Sequence, residues 1–208
     1  MAAADAQELG GTFSIPASQL RIHMAGGLPT GVDMPGDTED ETAGLAEALS
    51  GLSKDDCVIA VSASGSTPYT LAAHKIAQAQ GAVIVAIANN PGAPLLEGAD
   101  HPIVLPTPPE VLSGSTRMGA GTAQKIALNM MSTLMAVELG HVYDGMMVNL
   151  RVDNLKLRAR AVGMIARIAG VDMDIAEAAL ESGQEPAAAQ LLLRETEGNL
   201  RVALGRLA

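Results

Sequence analysis

Two short runs of small hydroxylated residues carry most of the chemistry this sequence offers. The first is Ser62-Ala63-Ser64-Gly65-Ser66-Thr67 and the second is Ser113-Gly114-Ser115-Thr116-Arg117. Each stands just ahead of a helical pattern. Hydroxyls and backbone N–H groups at a helix start donate together toward an anion, and the helix field favours negative charge there. Gly65 lets a ligand approach the backbone closely. Arg117 adds a fixed cation that could fork onto phosphate or carboxylate. Taken singly, each run is equally well an ordinary capping loop, because Ser and Thr are common N-caps. The acids Glu8, Asp37, Glu39, Asp40 and Glu41 read by composition as solvated loop charges. His23, His74, His101 and His141 lack metal-ligand spacing. Cys57 opens an apolar run and reads as a buried small hydrophobe. No dinucleotide fingerprint or Walker loop is present.

The elements that must position these residues follow from the apolar pattern. Residues 57–63, 82–88 and 102–106 are short β-rich runs, and Leu20 to Ala25 is a further short apolar stretch ahead of Gly26-Gly27. A helix is expected from Thr67 to Gln80, closed by Gly81. Others are expected over 42–50, 93–99, 120–139 and 149–168. Past Val171 two or three short helices are expected, with Asp172 as an N-cap and breaks at Gly183 and Gly198. Strand and helix alternate with short punctuated joins, which is the mark of a parallel sheet with crossover helices. The strand runs are continuously apolar, so strands covered on both faces are expected.

Bulk composition excludes several classes. The net charge of −10 argues against nucleic acid, whose phosphates need a basic surface. Any anionic ligand must therefore be held by local donors. No run of about 18 apolar residues exists, so no membrane span is expected. The first residues carry acids and no basic segment, unlike a signal peptide. A single cysteine allows no internal disulfide and suits a reduced cytoplasm. With only Phe13, Tyr69 and Tyr143 as aromatics, the core must be aliphatic and Met-rich.

At the two loops the sequence resembles the N-acetylmuramic acid 6-phosphate etherase family, which is related to the glucokinase regulatory protein. The stretches that carry the resemblance are VSASGSTPYTLAAHKIAQAQGA, NNPGAPL, EVLSGSTRMGAGTAQKIALNMMSTLMAVELGHVYDGMMVNL and NLKLRARAV. The resemblance implies the sugar isomerase (SIS) fold, an α/β three-layer sandwich with a parallel sheet, over residues 1–167, with one of its strands near Leu20–Ala25. It also implies a small helical C-terminal domain over 168–208. The implied activity is that of a carbon–oxygen lyase of peptidoglycan recycling. It removes D-lactate from C3 of the sugar through an α,β-unsaturated aldehyde and leaves N-acetylglucosamine 6-phosphate. The family is homodimeric and needs no cofactor or metal.

Residue by residue, Asp5-Ala6-Gln7-Glu8 matches the family's Asp-Ala-Ser-Glu, which makes Glu8 the first acid/base. Glu39-Asp40 matches its Glu-Asp pair and makes Glu39 the second. Ser62, Ser64 and Thr67 match the phosphate-binding positions of the loop that also holds Gly65 and Ser66. Ser115, Thr116 and Arg117 match the second conserved loop. The sequence departs from the family in four places. The family's first strand and its Gly-Thr-Ser-Gly-Arg loop would precede Met1, so an N-terminally incomplete chain is expected. Ser66 stands for Arg, Gly119 for Lys, and Leu9-Gly10-Gly11 for Cys-Pro-Pro. An etherase-type lyase leads these readings. A non-catalytic sugar-phosphate sensor, an inactive fragment and an aldose–ketose isomerase on the same fold stand beside it.

Overall fold

The computed structural model describes residues 1–32, 38–150, 152, 154–170 and 172–181. Asp37, the breaks at Gly183 and Gly198 and most of the tail expected from 168 lie outside the described residues. The chain divides into two compact units. One comprises Met1–Ala4 and Ile22–Leu128; the other comprises Asp5–Arg21 and the described residues from Asn129 onward.

The first unit is built on three parallel strands in the order β1 (Cys57–Val61), β2 (Val83–Ala88), β3 (His101–Val104). The register pairs Cys57 with Val83 and Val61 with Ile87, then Val85 with His101 and Ala88 with Val104. The central strand β2 is an unbroken run of apolar residues, and all but Val83 are buried. Helix α3 (Pro68–Gln80) returns from β1 to β2. Pro68 sits at its start, where its missing N–H costs nothing, and Gly81 ends it at φ +76°. Ala60, Ala86 and Leu95 form one apolar cluster with Leu71 of α3, and Ala77, Ala82 and Ile84 form another with Val58. Side chains alternate across a strand, so these clusters share one face of the sheet. On the other face Val85 and Ile87 are buried, while Ile59 and Val83 are 46% and 40% exposed. The expected cover on both faces is therefore complete only along the inner part of β2.

Four expectations need correction. Cys57 is exposed, not buried, because it begins β1, which among the described residues has a ladder on one side only. Leu20 to Ala25 forms no strand. Leu20 is extended, at φ −118° and ψ 127°, yet no ladder partner stands beside this stretch among the described residues. The helix expected over 93–99 shrinks to a single 3₁₀ turn, Pro94–Leu96, hemmed in by Gly92 and Gly98, both at positive φ. Helix α2 likewise covers only Leu45–Ala48, behind Gly44 at φ +75°.

The second unit takes in most of α1 (Ala2–Phe13) and the C-terminal half of α4 (Gly119–Glu138). Asp5 binds both Asn129 and Ser132: Asn129 Nδ2 donates to Asp5 Oδ1, and so does Ser132 Oγ, at 3.4 Å. A hairpin, β4 (Val142–Tyr143) and β5 (Met146–Met147), turns at Asp144-Gly145, both at positive φ, as a tight two-residue hairpin turn requires. Helix α5 (Leu155–Ala169) starts where Asn154 Oδ1 accepts the Leu157 N–H at 3.0 Å, several residues later than the pattern suggested. It packs on α6 (Met173–Glu181), with Arg158 and Glu177 paired at 3.5 Å. Among the described residues no helix is long and apolar enough to cross a membrane.

Candidate anion-binding site

In a parallel sheet the segments that leave the strands lie together at its carboxyl end, where ligands of such folds bind. Both hydroxyl loops start from that end: 62–67 follows β1, and 113–117 lies between β3 and α4.

The first loop folds around its own hydroxyls. Ser62 Oγ lies 3.2 Å from Ser64 Oγ and 2.9 Å from Thr67 Oγ1, and it also accepts the Gly65 N–H at 3.1 Å. Ser64 Oγ accepts the Ser66 N–H at 3.2 Å. Ser62 is buried, whereas Ser64 and Ser66 are exposed and Thr67 is half-buried. Ser62 thus organises the turn: the Ser64 and Thr67 hydroxyls lean on it, and Ser64 and Ser66 are open to solvent. Gly65 has φ +67°, and a Cβ there would stand 2.4 Å from Ala93 Cβ and 3.0 Å from Ala88 Cβ. Both the backbone angle and the space demand glycine. The loop is seated on the segment after β2, with the Leu95 N–H donating to Gly65 O at 3.0 Å.

In the second loop Ser115 is half-buried, and Thr116 and Arg117 are exposed. Ser115 Oγ accepts the Arg117 N–H at 3.4 Å. Two amides at the start of α4 are already taken. Glu110 accepts from the Met118 N–H at 3.0 Å and from the Ala120 N–H at 3.3 Å. The helix N-terminus thus already carries a carboxylate of the chain itself, which its dipole favours. What this loop offers an external anion is the Arg117 guanidinium and the Ser115 and Thr116 hydroxyls.

The two acids fall in different places. Glu39 is exposed in the first unit, and its carbonyl accepts the Tyr69 N–H at 2.9 Å, which ties it to the first turn of α3 beside Thr67. Glu8 is exposed on α1, in the second unit, one turn after Asp5. An open hollow of about 320 Å³ is lined by Ile22, His23, Met24, Glu41 and Tyr69 among others. None of the loop hydroxyls is among its lining residues, so the candidate donors lie outside it.

Sequence comparison gives these loops a context. Residues 34–139 match the SIS domain family. The N-acetylmuramic acid 6-phosphate etherase of Deinococcus radiodurans is 45% identical, over 91% of this chain and 63% of the relative. That of Rubrobacter xylanophilus is 40% identical, over 97% of this chain and 71% of the relative. That of Streptomyces avermitilis is 39% identical, over 96% and 70%. The chain belongs to the N-acetylmuramic acid 6-phosphate etherase family of SIS-domain proteins. It spans between 63% and 71% of the length of these curated relatives.

The structure also places Ser66 and Gly119, the two positions expected from the resemblance to depart from basic residues. Ser66 is exposed in the first loop. Gly119 opens α4, with 3.9 Å between an added Cβ and Thr107 Cβ, so a Cβ there would make only ordinary contact. Three polar residues were not singled out from the sequence: Asn89, Glu110 and Gln124. Their bonds reach across turns and elements, so no local motif marks them.

Proposed function

We propose that this chain is an etherase-type carbon–oxygen lyase that converts N-acetylmuramic acid 6-phosphate and water to N-acetylglucosamine 6-phosphate and D-lactate. The observation that carries the reading is the convergence of the Ser62, Ser64 and Thr67 hydroxyls at the carboxyl end of a parallel sheet, in a chain of this family. The phosphate is taken by Ser64, Ser66 and Thr67 on one side and by Ser115, Thr116 and Arg117 on the other, with Ser62 and Gly65 shaping the first loop.

The chemistry asks for one base and one acid. A carboxylate removes the proton at C2, and a carboxylic acid protonates the lactyl oxygen as the C3–O bond breaks. This leaves the α,β-unsaturated aldehyde and lactate. Water then adds at C3 and a proton returns to C2. Glu8 and Glu39 are assigned these two roles, and positioned proton transfer of this kind contributes typically about 10²–10⁴ in rate. Along α4 the exposed apolar residues Ile126, Met130, Leu134 and Val137 form a stripe at helical spacing. This fits a second copy of the chain as the partner.

The test is D-lactate release from N-acetylmuramic acid 6-phosphate by the purified chain, and its loss in Glu8→Gln. Ser66 and Gly119, in place of basic residues, favour a second reading, a sugar-phosphate sensor. Thermal stabilisation by N-acetylglucosamine 6-phosphate without lactate release would select the sensor and overturn the lyase.

A further inference from the structure

We propose that Asn89 is a positioning residue for the sugar-phosphate site, holding the two hydroxyl loops in fixed relation through one buried amide; this rests on the sugar-phosphate reading above. Asn89 is the first residue after β2, between the two loops. Its backbone N–H donates to Ala63 O at 3.0 Å, inside the first loop. Its side chain reaches the opposite way. Asn89 Nδ2 donates to Leu105 O at 2.9 Å, at the exit of β3, and to Ala120 O at 3.5 Å, in the first turn of α4. Asn89 Oδ1 accepts from Gln124 Nε2 at 2.8 Å, one turn further along α4. Asn89 and Gln124 are 5% and 7% exposed, so water does not replace these bonds. The neighbouring Asn90 adds a bond from Nδ2 to Ser64 O at 3.3 Å.

The fit is specific to asparagine. The site uses both amide hydrogens and the carbonyl oxygen of a short side chain. Aspartate keeps the acceptor for Gln124 but has no donor, and it turns a charged oxygen toward two carbonyl oxygens. Leucine of similar size satisfies neither group. Asn89 touches no reacting atom on this reading. It acts through the spacing of Ser64 and Thr67 from Ser115 and Arg117, and small misplacements of binding groups carry large kinetic costs.

The experiment compares the wild-type chain with Asn89→Asp and Gln124→Met by steady-state lactate release and by amide hydrogen exchange. Asn89→Asp is expected to raise KM about tenfold while kcat changes by less than about threefold, the pattern of lost uniform binding. The Gly65 and Ala120 amides should exchange at least about tenfold faster, while those in the middle of α3 keep their protection. If Asn89→Asp fails to fold, Gln124→Met, which removes one bond and keeps both Asn89 donations, must show the same pattern at about threefold. Unchanged KM and loop exchange in a folded variant would overturn the proposal, as would exchange that quickens equally in α3. If the wild-type chain neither turns over the substrate nor binds N-acetylglucosamine 6-phosphate, the sugar-phosphate reading itself fails, and the assignment of Asn89 to that site falls with it.

Discussion

The Glu110 carboxylate receives the backbone N–H of Met118 between its two oxygens, at 3.0 and 3.1 Å, and so closes the loop that carries Ser115, Thr116 and Arg117. The excursion over residues 111–117 is stapled at its neck, and the same carboxylate caps α4. Glu110→Ala should lower stability by about 1 kcal/mol, the usual worth of a helix cap. For a chain of this size that is about 2–4 °C in Tm. Glu110→Gln, which keeps an acceptor oxygen, should recover most of the loss. Thermal denaturation at low and high salt separates the two contributions, because only the charge–dipole part is screened.

Gly65→Ala tests the seat of the first loop. The added methyl group meets Ala93 Cβ at 2.4 Å and Ala88 Cβ at 3.0 Å, and the backbone is held at φ +67°. Neither neighbour is the end of a flexible chain, so the loop or the Ala93 segment must move. The expected cost is about 2–4 kcal/mol, the sum of overpacking and left-handed strain. Urea denaturation reads it directly, and a change under about 0.5 kcal/mol, the scale of a neutral surface substitution, would refute the packing account.

Ser62→Ala and Ser64→Ala should part company. Ser62 is buried and holds the turn through Ser64, Gly65 and Thr67. Its loss leaves buried groups unpaired, and a fall in stability of about 1–3 kcal/mol is expected. Ser64 is exposed. Its alanine variant should keep Tm within a degree or two on the usual scale for surface positions and lose affinity for the sugar phosphate instead. Calorimetry with N-acetylglucosamine 6-phosphate, paired with melting curves, checks both.

The parts of this molecule that could be read from sequence are those whose signal is local. The six apolar residues of β2 announce a central strand, and Thr67-Pro68 and Gly81 bracket α3. The hydroxyl loops are contiguous, so their chemistry shows in a string of letters. The extended stretch after Leu20 misled because a strand is defined by its neighbour, and its apolar residues say nothing about whether one is present. Helix α1 was missed because its Ala and Gly residues give no strong period, and the β4–β5 hairpin because its strands are only two residues long. Glu110 and Asn89 were invisible for a further reason. Their partners, Met118 and Gln124, stand 8 and 35 residues away, outside any capping spacing.

Cys57 supplies a pH-dependent handle. Partial burial pushes its thiol upward, and the Asp100 carboxylate adds to the shift, since both disfavour the thiolate. A raised folded value means that its contribution to stability is complete below the unfolded thiol pKa. That contribution is lost as pH rises through the folded value. Asp100→Asn should therefore lower the thiol pKa and quicken alkylation by iodoacetamide in mildly alkaline solution. An asparagine oxygen at this position can still accept the Ile84 N–H that Asp100 now receives at 2.8 Å. Equal alkylation rates for the two proteins across that pH range would show that the carboxylate does not act on Cys57.

Asp5 fixes the helix on which Glu8 rides. It binds Asn129 and Ser132 of α4, and Glu8 follows three residues later, a neighbouring position on the helix surface. Asp5→Ala removes both bonds and should cost roughly 1.5 kcal/mol, the lower end for bonds to a charged group, because the site is only half-buried. If Glu8 is the acid/base, its placement depends on this anchor. Lactate release should then fall further than the stability loss alone explains, at temperatures where the variant remains folded. Asp5→Asn keeps an acceptor for Asn129 and should restore part of both. The decisive comparison is kcat against the exchange of α1 amides in the two variants. Frayed α1 amides with an undiminished kcat would detach Glu8 from the reaction, whereas a parallel fall places the Asp5–Asn129 bond upstream of catalysis.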